Sequence, residues 1–147
     1  VAEIKTGNPV TDVILTQKQK EAEEKGIDFR CKFMYPTDTG INAFDVSVIL
    51  NNAITNAFEG VNGCKNPYVS VSAYRKKNAY MLELTNCVCK SVEIDDETGV
   101  PETTKKDKGS HGFGLANIRK VAQKYYGDID ISQDENSFTL TVMLMVE

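Results

Sequence analysis

Asn52 and Asn56 stand one helical turn apart in the stretch ILNNAITNAFEG, residues 49–60, where apolar side chains would be more stable. Each asparagine inside a helix costs on the order of half a kcal/mol relative to alanine, so three within six positions call for compensation. Two amides at that spacing can present neutral oxygens to Mg²⁺, a hard cation that keeps water and phosphate oxygens as its other partners. A solvated helix face is the alternative for the same stripe. The second stretch with chemical potential is GSHGFGLANI, residues 109–118. Gly109, Gly112 and Gly114 let a backbone approach a ligand without Cβ interference, and the free N–H groups at the start of a following helix favour an anion. The two stretches together suggest a nucleotide site. Neither a Walker A motif nor GxGxxG occurs, and the glycines follow a polar loop instead of a strand, which argues against a dinucleotide-binding parallel sheet.

The elements that must hold these stretches can be read in chain order. Asn8 and Pro9 open a helix that Gly26 closes, with Val10, Val13, Ile14 and Ala22 as a partial apolar face. Its second half, QKQKEAEEK, is charged, which suits a helix docked elsewhere, so residues 1–26 read as a trailing piece of another domain. From 27 to 34 the period is two, with Ile27, Phe29, Cys31 and Phe33 inward. After a turn at Pro36, Asp38 and Gly40, residues 43–58 form a helix with Val46, Ile49, Leu50, Ala53 and Ala57 on one side. Asn52, Thr55, Asn56 and Glu59 make a polar stripe on the other. Strands at 68–76 and 79–86 reverse at Lys77-Asn78 as an antiparallel hairpin. Residues 90–109 carry almost no period and few apolar anchors, so they read as a long loop and candidate lid. Leu115, Ile118, Ala122 and Tyr125 mark a helix ended by Gly127. Two strands follow, on Ile129 and Ile131 and then Phe138, Leu140, Val142, Leu144 and Val146, joined by a turn at 134–136. The sum predicts an α+β two-layer sandwich, a mixed and mostly antiparallel sheet with helices packed on one face.

Composition narrows the function. With 147 residues, 41% of them hydrophobic, the chain is sized for one globular domain, and its net charge of −4 argues against a nucleic-acid partner. No apolar run reaches the roughly 20 residues needed to cross a bilayer. Of four cysteines, Cys87 and Cys89 share a strand parity that puts both on one face if the strand continues. No second pair or spaced histidine completes a zinc site, so reduced thiols are expected.

Asn52-x-x-x-Asn56-Ala57 resembles the N-box, and His111-Gly112-Phe113-Gly114-Leu115-x-Asn117-Ile118 resembles the G2 box, of the GHKL ATPases with their Bergerat-type ATP-binding fold. The order of NxxxNA, a lone Asn, TTK and HGxGLxN most resembles catalytic domains of bacterial sensor histidine kinases of the peptide-pheromone receptor type. The resemblance covers 27–147, the ATP-binding catalytic domain, while 1–26 resembles the end of a dimerisation helix pair. It implies ATP and Mg²⁺ as cofactors, with Asn56 as metal ligand and Asn52 beside the phosphates in a catalytic role. Asn86 stands where relatives place the Asp of DxGxG that reads the adenine amine. An amide oxygen can accept from that amine without the strengthening charge. Thr104, Lys105, His111, Gly112, Phe113, Gly114, Leu115 and Asn117 would complete the nucleotide contacts. Thr55 replaces a common Asp and Glu59 a cation, so phosphate charge falls to Lys105, Lys106, Lys108 or Arg119. His111, the only histidine, would lie in the lid, leaving the acceptor histidine upstream. The implied partners are the protein's own dimerisation domain, as a homodimer in the full-length protein, and a response regulator. The location would be cytoplasmic, with a membrane anchor only through upstream segments. A nucleotide-sensing interaction module without phosphoryl transfer and an anti-sigma-type serine kinase of the same fold are the alternatives.

Overall fold

The computed structural model describes residues 3–89 and 111–146, with backbone alone at 111–113. The expected loop at 90–109, and with it Thr104, Lys105, Lys106 and Lys108, lies outside the described residues.

Asn8 caps helix α1 (Pro9–Glu24) by accepting from Val10 N at 2.9 Å, with Pro9 at the first helical position. The buried side of α1 is Thr11, Leu15 and Ala22, whereas Val13 is 56% exposed. Of the expected apolar face, Ala22 is buried and Ile14 packs against the core, while Val13 turns outward. Leu15 at i+4 from Thr11 takes the inward position, and Thr11 tolerates burial because its hydroxyl hydrogen-bonds that of Thr6.

Strand β1 (Asp28–Lys32) alternates as expected, and Ile27 and Phe33 are buried just outside it. Helix α2 (Ala43–Gly60), capped by Asn42, runs two residues beyond the expected end at Phe58. Its apolar side buries Val46, Ile49, Leu50, Ala53, Ile54, Ala57 and Phe58. Strands β2 (Tyr68–Lys76) and β3 (Ala79–Cys87) form the hairpin, with Lys77 at φ 54 in the reversal. Beyond helix α3 (His111–Lys124) come β4 (Asp128–Gln133) and β5 (Ser137–Met145). Asp134 closes their turn by accepting from the N–H groups of Asn136 and Ser137, both at 2.8 Å.

Among the described residues, five strands lie in the order β1-β2-β3-β5-β4. Only β1 and β2 are parallel; the remaining pairs are antiparallel. Val69, Val71, Tyr80, Leu82, Leu84, Leu140, Val142 and Leu144 are buried beneath the helices, while Ser70, Ser72, Glu83, Thr85, Thr139 and Thr141 on alternate positions are half-buried. This is the two-layer α+β sandwich with a mixed sheet that the periodicity predicts. A Cβ on Gly127 would stand 1.7 Å from Met143 O, so only glycine lets the chain leave α3 and press against β5. Among the described residues, no helix is long and apolar enough to cross a membrane.

Candidate functional site

Helices α2 and α3 pack side by side, and polar contacts fix their relative direction. At one end, Tyr125 OH donates to Asp45 and accepts from Asn42 N at 3.0 Å, while Lys124 Nζ meets Asp45 at 2.9 Å. Partial burial acts to raise the Asp45 pKa, but hydrogen bonds from Tyr125 and Lys124 outweigh it and hold the carboxyl below its ordinary value. The start of α2 is thereby pinned to the end of α3. The helices run antiparallel, which brings the first turn of α3 beside the second half of α2, where Asn56 stands.

At that crossing Gly114 lies against Asn56. A Cβ on Gly114 would stand 2.8 Å from Asn56 Nδ2 and 3.3 Å from Oδ1. The glycine-rich stretch was expected to be a loop leading into a helix. In the structure the helix already begins at His111, so Gly112 and Gly114 belong to its first turn. Gly114 serves close helix packing and sets the described start of α3, the end of a helix that favours an anion, beside Asn56.

Asn56 Nδ2 is buried without a hydrogen-bond partner among the described residues. A donor in that position costs about 1–3 kcal/mol. The near-isosteric ends of the amide mean that a turn about its last torsion presents either Oδ1 or Nδ2. It can therefore offer an oxygen to a hard cation or an N–H to a phosphate oxygen. The orphaned amide, which fills the space a side chain on Gly114 would take, and the adjacent helix start fit a magnesium-bound phosphate chain. Asn52, one turn earlier, donates from Nδ2 to Val48 O at 2.9 Å, which turns Oδ1 away from the helix backbone.

Asn86 closes the far end. It is 5% exposed, on the helix-facing side of β3, and its Nδ2 donates to Cys87 O at 2.9 Å. That bond fixes the amide so that Oδ1 is the atom available to accept from an amine. Gly60 makes room for it, since a Cβ there would stand 2.7 Å from Asn86 Nδ2. The structure thus brings Asn56, Gly114 and the α3 start together, with Asn52 one turn before Asn56 on α2 and Asn86 against the α2 end. Leu115 is buried in the core, where it anchors α3, and Asn117 is exposed. For His111, Gly112 and Phe113 the backbone is helical.

Two charged groups differ from the sequence reading. Arg119 is committed to Asp128, Nε to Oδ1 at 3.1 Å, so this candidate phosphate partner is turned towards β4. Lys18, which the sequence did not single out, reaches from α1 to the polar stripe and donates to Thr55 Oγ1 at 3.2 Å, with its side chain 13% exposed. Its signal was latent in the charged half of α1, where Leu15 and Ala22 place Lys18 on the docked side.

Residues 41–145, well over half of the chain, match the family model described as GHKL domain, and the chain belongs to that family. Among solved structures it resembles a nucleotide-free form of the catalytic domain of histidine kinase ThkA, with a TM-score of 0.76 at 16% identity over 97% of this chain and 93% of that one. A histidine kinase from Burkholderia phymatum gives 0.68 at 13% identity over 97% and 69%, and Acinetobacter baumannii AdeS gives 0.65 at 14% over 94% and 64%. At these identities the likeness shows the fold. No curated protein matches the sequence significantly. A GHKL domain with the fold of histidine kinase catalytic domains is what sequence family and architecture together define.

Proposed function

We propose that the chain binds Mg-ATP between α2 and the start of α3 and serves as the catalytic domain of a sensor histidine kinase. The observation that carries this reading is the buried, unpartnered amide of Asn56 beneath Gly114. Asn56 Oδ1 would hold the cation, Asn52 and the first-turn N–H groups of α3 would meet phosphate oxygens, and Asn86 Oδ1 would accept from the adenine amine. Bound Mg-ATP supplies the phosphoryl group and the charge neutralisation that its transfer needs. The chain's own part is orientation: α2 and α3, pinned at Asp45, hold the amides at fixed spacing, and the burial of Asn56 keeps water from competing with it.

In this reading residues 27–147 are the catalytic domain and residues 1–26 the end of a dimerisation helix pair, which carries the acceptor histidine upstream. The peptide-pheromone receptor type, a homodimer, a response regulator downstream and a cytoplasmic location belong to the same proposal, on the motif pattern alone.

The test uses labelled ATP and Mg²⁺. The chain by itself should remain unlabelled. Adding the cognate dimerisation helices should yield acid-labile phosphate on one of their histidines, slowly, because the missing linker lowers the effective concentration. ATP binding with no labelling of folded helices would overturn the kinase reading in favour of a nucleotide-sensing module.

A further inference from the structure

Three thiols gather where the loop after α2 passes the end of β3. Cys87 and Cys89 would share a sheet face only if the strand continued, and β3 ends at Cys87: Cys87 is buried and Cys89 exposed. Cys89 Sγ donates to Asn62 O at 3.2 Å and lies 3.0 Å from where a Cβ on Gly63 would stand. Gly63, at φ +86, is what allows the thiol to seat on the loop. Cys87 Sγ accepts from Tyr68 N at 3.4 Å. Cys64 follows Gly63 directly on the loop where Cys89 Sγ is seated, and the thiols of Cys87 and Cys89 are near enough to act on its titration. It also lines a cavity of about 480 Å³, together with Phe58, Val61 and Pro67, through which a small solute can reach it. Among the described residues, no group of three or more His, Cys, Asp and Glu side chains is placed to hold a metal ion.

We propose that Cys64 and Cys89 are an oxidation site, which a peroxide-class oxidant closes to an intramolecular disulfide tying the loop after α2 to the end of β3. The exposed Cys89 reacts first. Its thiolate attacks the O–O bond, hydroxide leaves, and Cys89 becomes a sulfenic acid. The sulfur of Cys64 then displaces the sulfenic oxygen as water. Two thiols and one hydrogen peroxide thus give one disulfide and two waters, the thiol protons ending on oxygen. Burial, and then the thiols of Cys87 and Cys89, push the Cys64 thiol up to about 12, which makes it the second partner and not the first. Cys31 sits apart on β1, and burial pushes its thiol up to about 11.

Hydrogen peroxide, followed by a quench and thiol counting on the intact chain, tests this. Two of the four thiols should be lost without any covalent link between chains, and dithiothreitol should restore both. Digestion should join the fragment containing Cys64 to the one containing Cys89. Cys89→Ser and Cys64→Ser should each abolish the joined fragment, whereas Cys31→Ser should leave it unchanged, with circular dichroism confirming that each variant is folded. A joined fragment that persists in Cys89→Ser would assign the bond to Cys87. Conversion of separate cysteines to sulfinic acid without a link, or a link only between two chains, would equally overturn the proposal.

Discussion

Asn86 and Asn56 each press against a helical glycine, Gly60 and Gly114, with the position of a Cβ at 2.7 and 2.8 Å from the amide nitrogen. Yet the amide of Asn86 donates to Cys87 O, whereas Asn56 has no partner for its buried nitrogen among the described residues. The first is a polar group built into the fold and the second a polar group the fold leaves open. Close packing against a glycine therefore does not by itself say what an amide leaves for a ligand: Asn86 keeps only its Oδ1 open, while Asn56 also buries an unmet Nδ2. What separates the two is whether the folded chain meets the hydrogen-bonding demand it has buried.

Substitutions can break this comparison, and the largest effect is expected at Gly60. Gly60→Ala drives a methyl into an amide that is already held, and unfolding by urea should show a loss of about 2 kcal/mol. Asn86→Ala should lose about 1–2 kcal/mol, because Cys87 O is left without its donor. Asn56→Ala should go the other way and gain about 1 kcal/mol, since it removes an unsatisfied donor and improves helix propensity. A loss of stability in Asn56→Ala comparable to that in Asn86→Ala would erase the distinction.

Sequence reasoning reached the elements within a residue or two wherever side chains alternate or recur at helical spacing, as along Tyr80, Leu82 and Leu84 or Ile49, Ala53 and Ala57. It misplaced the start of α3 because glycine reads locally as a chain breaker, while Gly114 answers to a residue 58 positions earlier. Val13 was set inward for a similar reason. An apolar type does not say which side of a helix its neighbours cover, and it is the docking of α1 on α2 that buries Leu15 instead. Asn56 and Asn52 could be singled out from the strain of amides in a helix, but the distinction between Asn56 and Asn86 could not, since partnership is a tertiary property. The commitment of Arg119 to Asp128 and the reach of Lys18 to Thr55 are invisible for the same reason.

The end of α2 opposite the proposed site supplies a smaller, pH-dependent contrast. Its Asp45 carboxyl is held below the ordinary value of 3.8 by Tyr125 and Lys124. A depressed carboxyl stabilises the fold above that value, and the contribution is lost as the pH falls through the folded pKa. Wild type should be more stable than Asp45→Asn at neutral pH, with the gap narrowing on acidification below about 3.8. A gap that stays constant with pH would remove the carboxylate from the helix clamp.

Calorimetric titration with a non-hydrolysable ATP analogue, with and without Mg²⁺, tests the central claim most directly when wild type, Gly114→Ala and Asn56→Ala are compared. Wild type should bind in a magnesium-dependent manner. Gly114→Ala should keep near wild-type stability, since the unbonded Asn56 amide can swing away from the methyl, yet lose at least about tenfold in affinity, roughly 1.4 kcal/mol. Asn56→Ala should lose measurable magnesium-dependent binding while remaining at least as stable as wild type. Unchanged affinity in both folded variants would contradict a nucleotide site between α2 and α3.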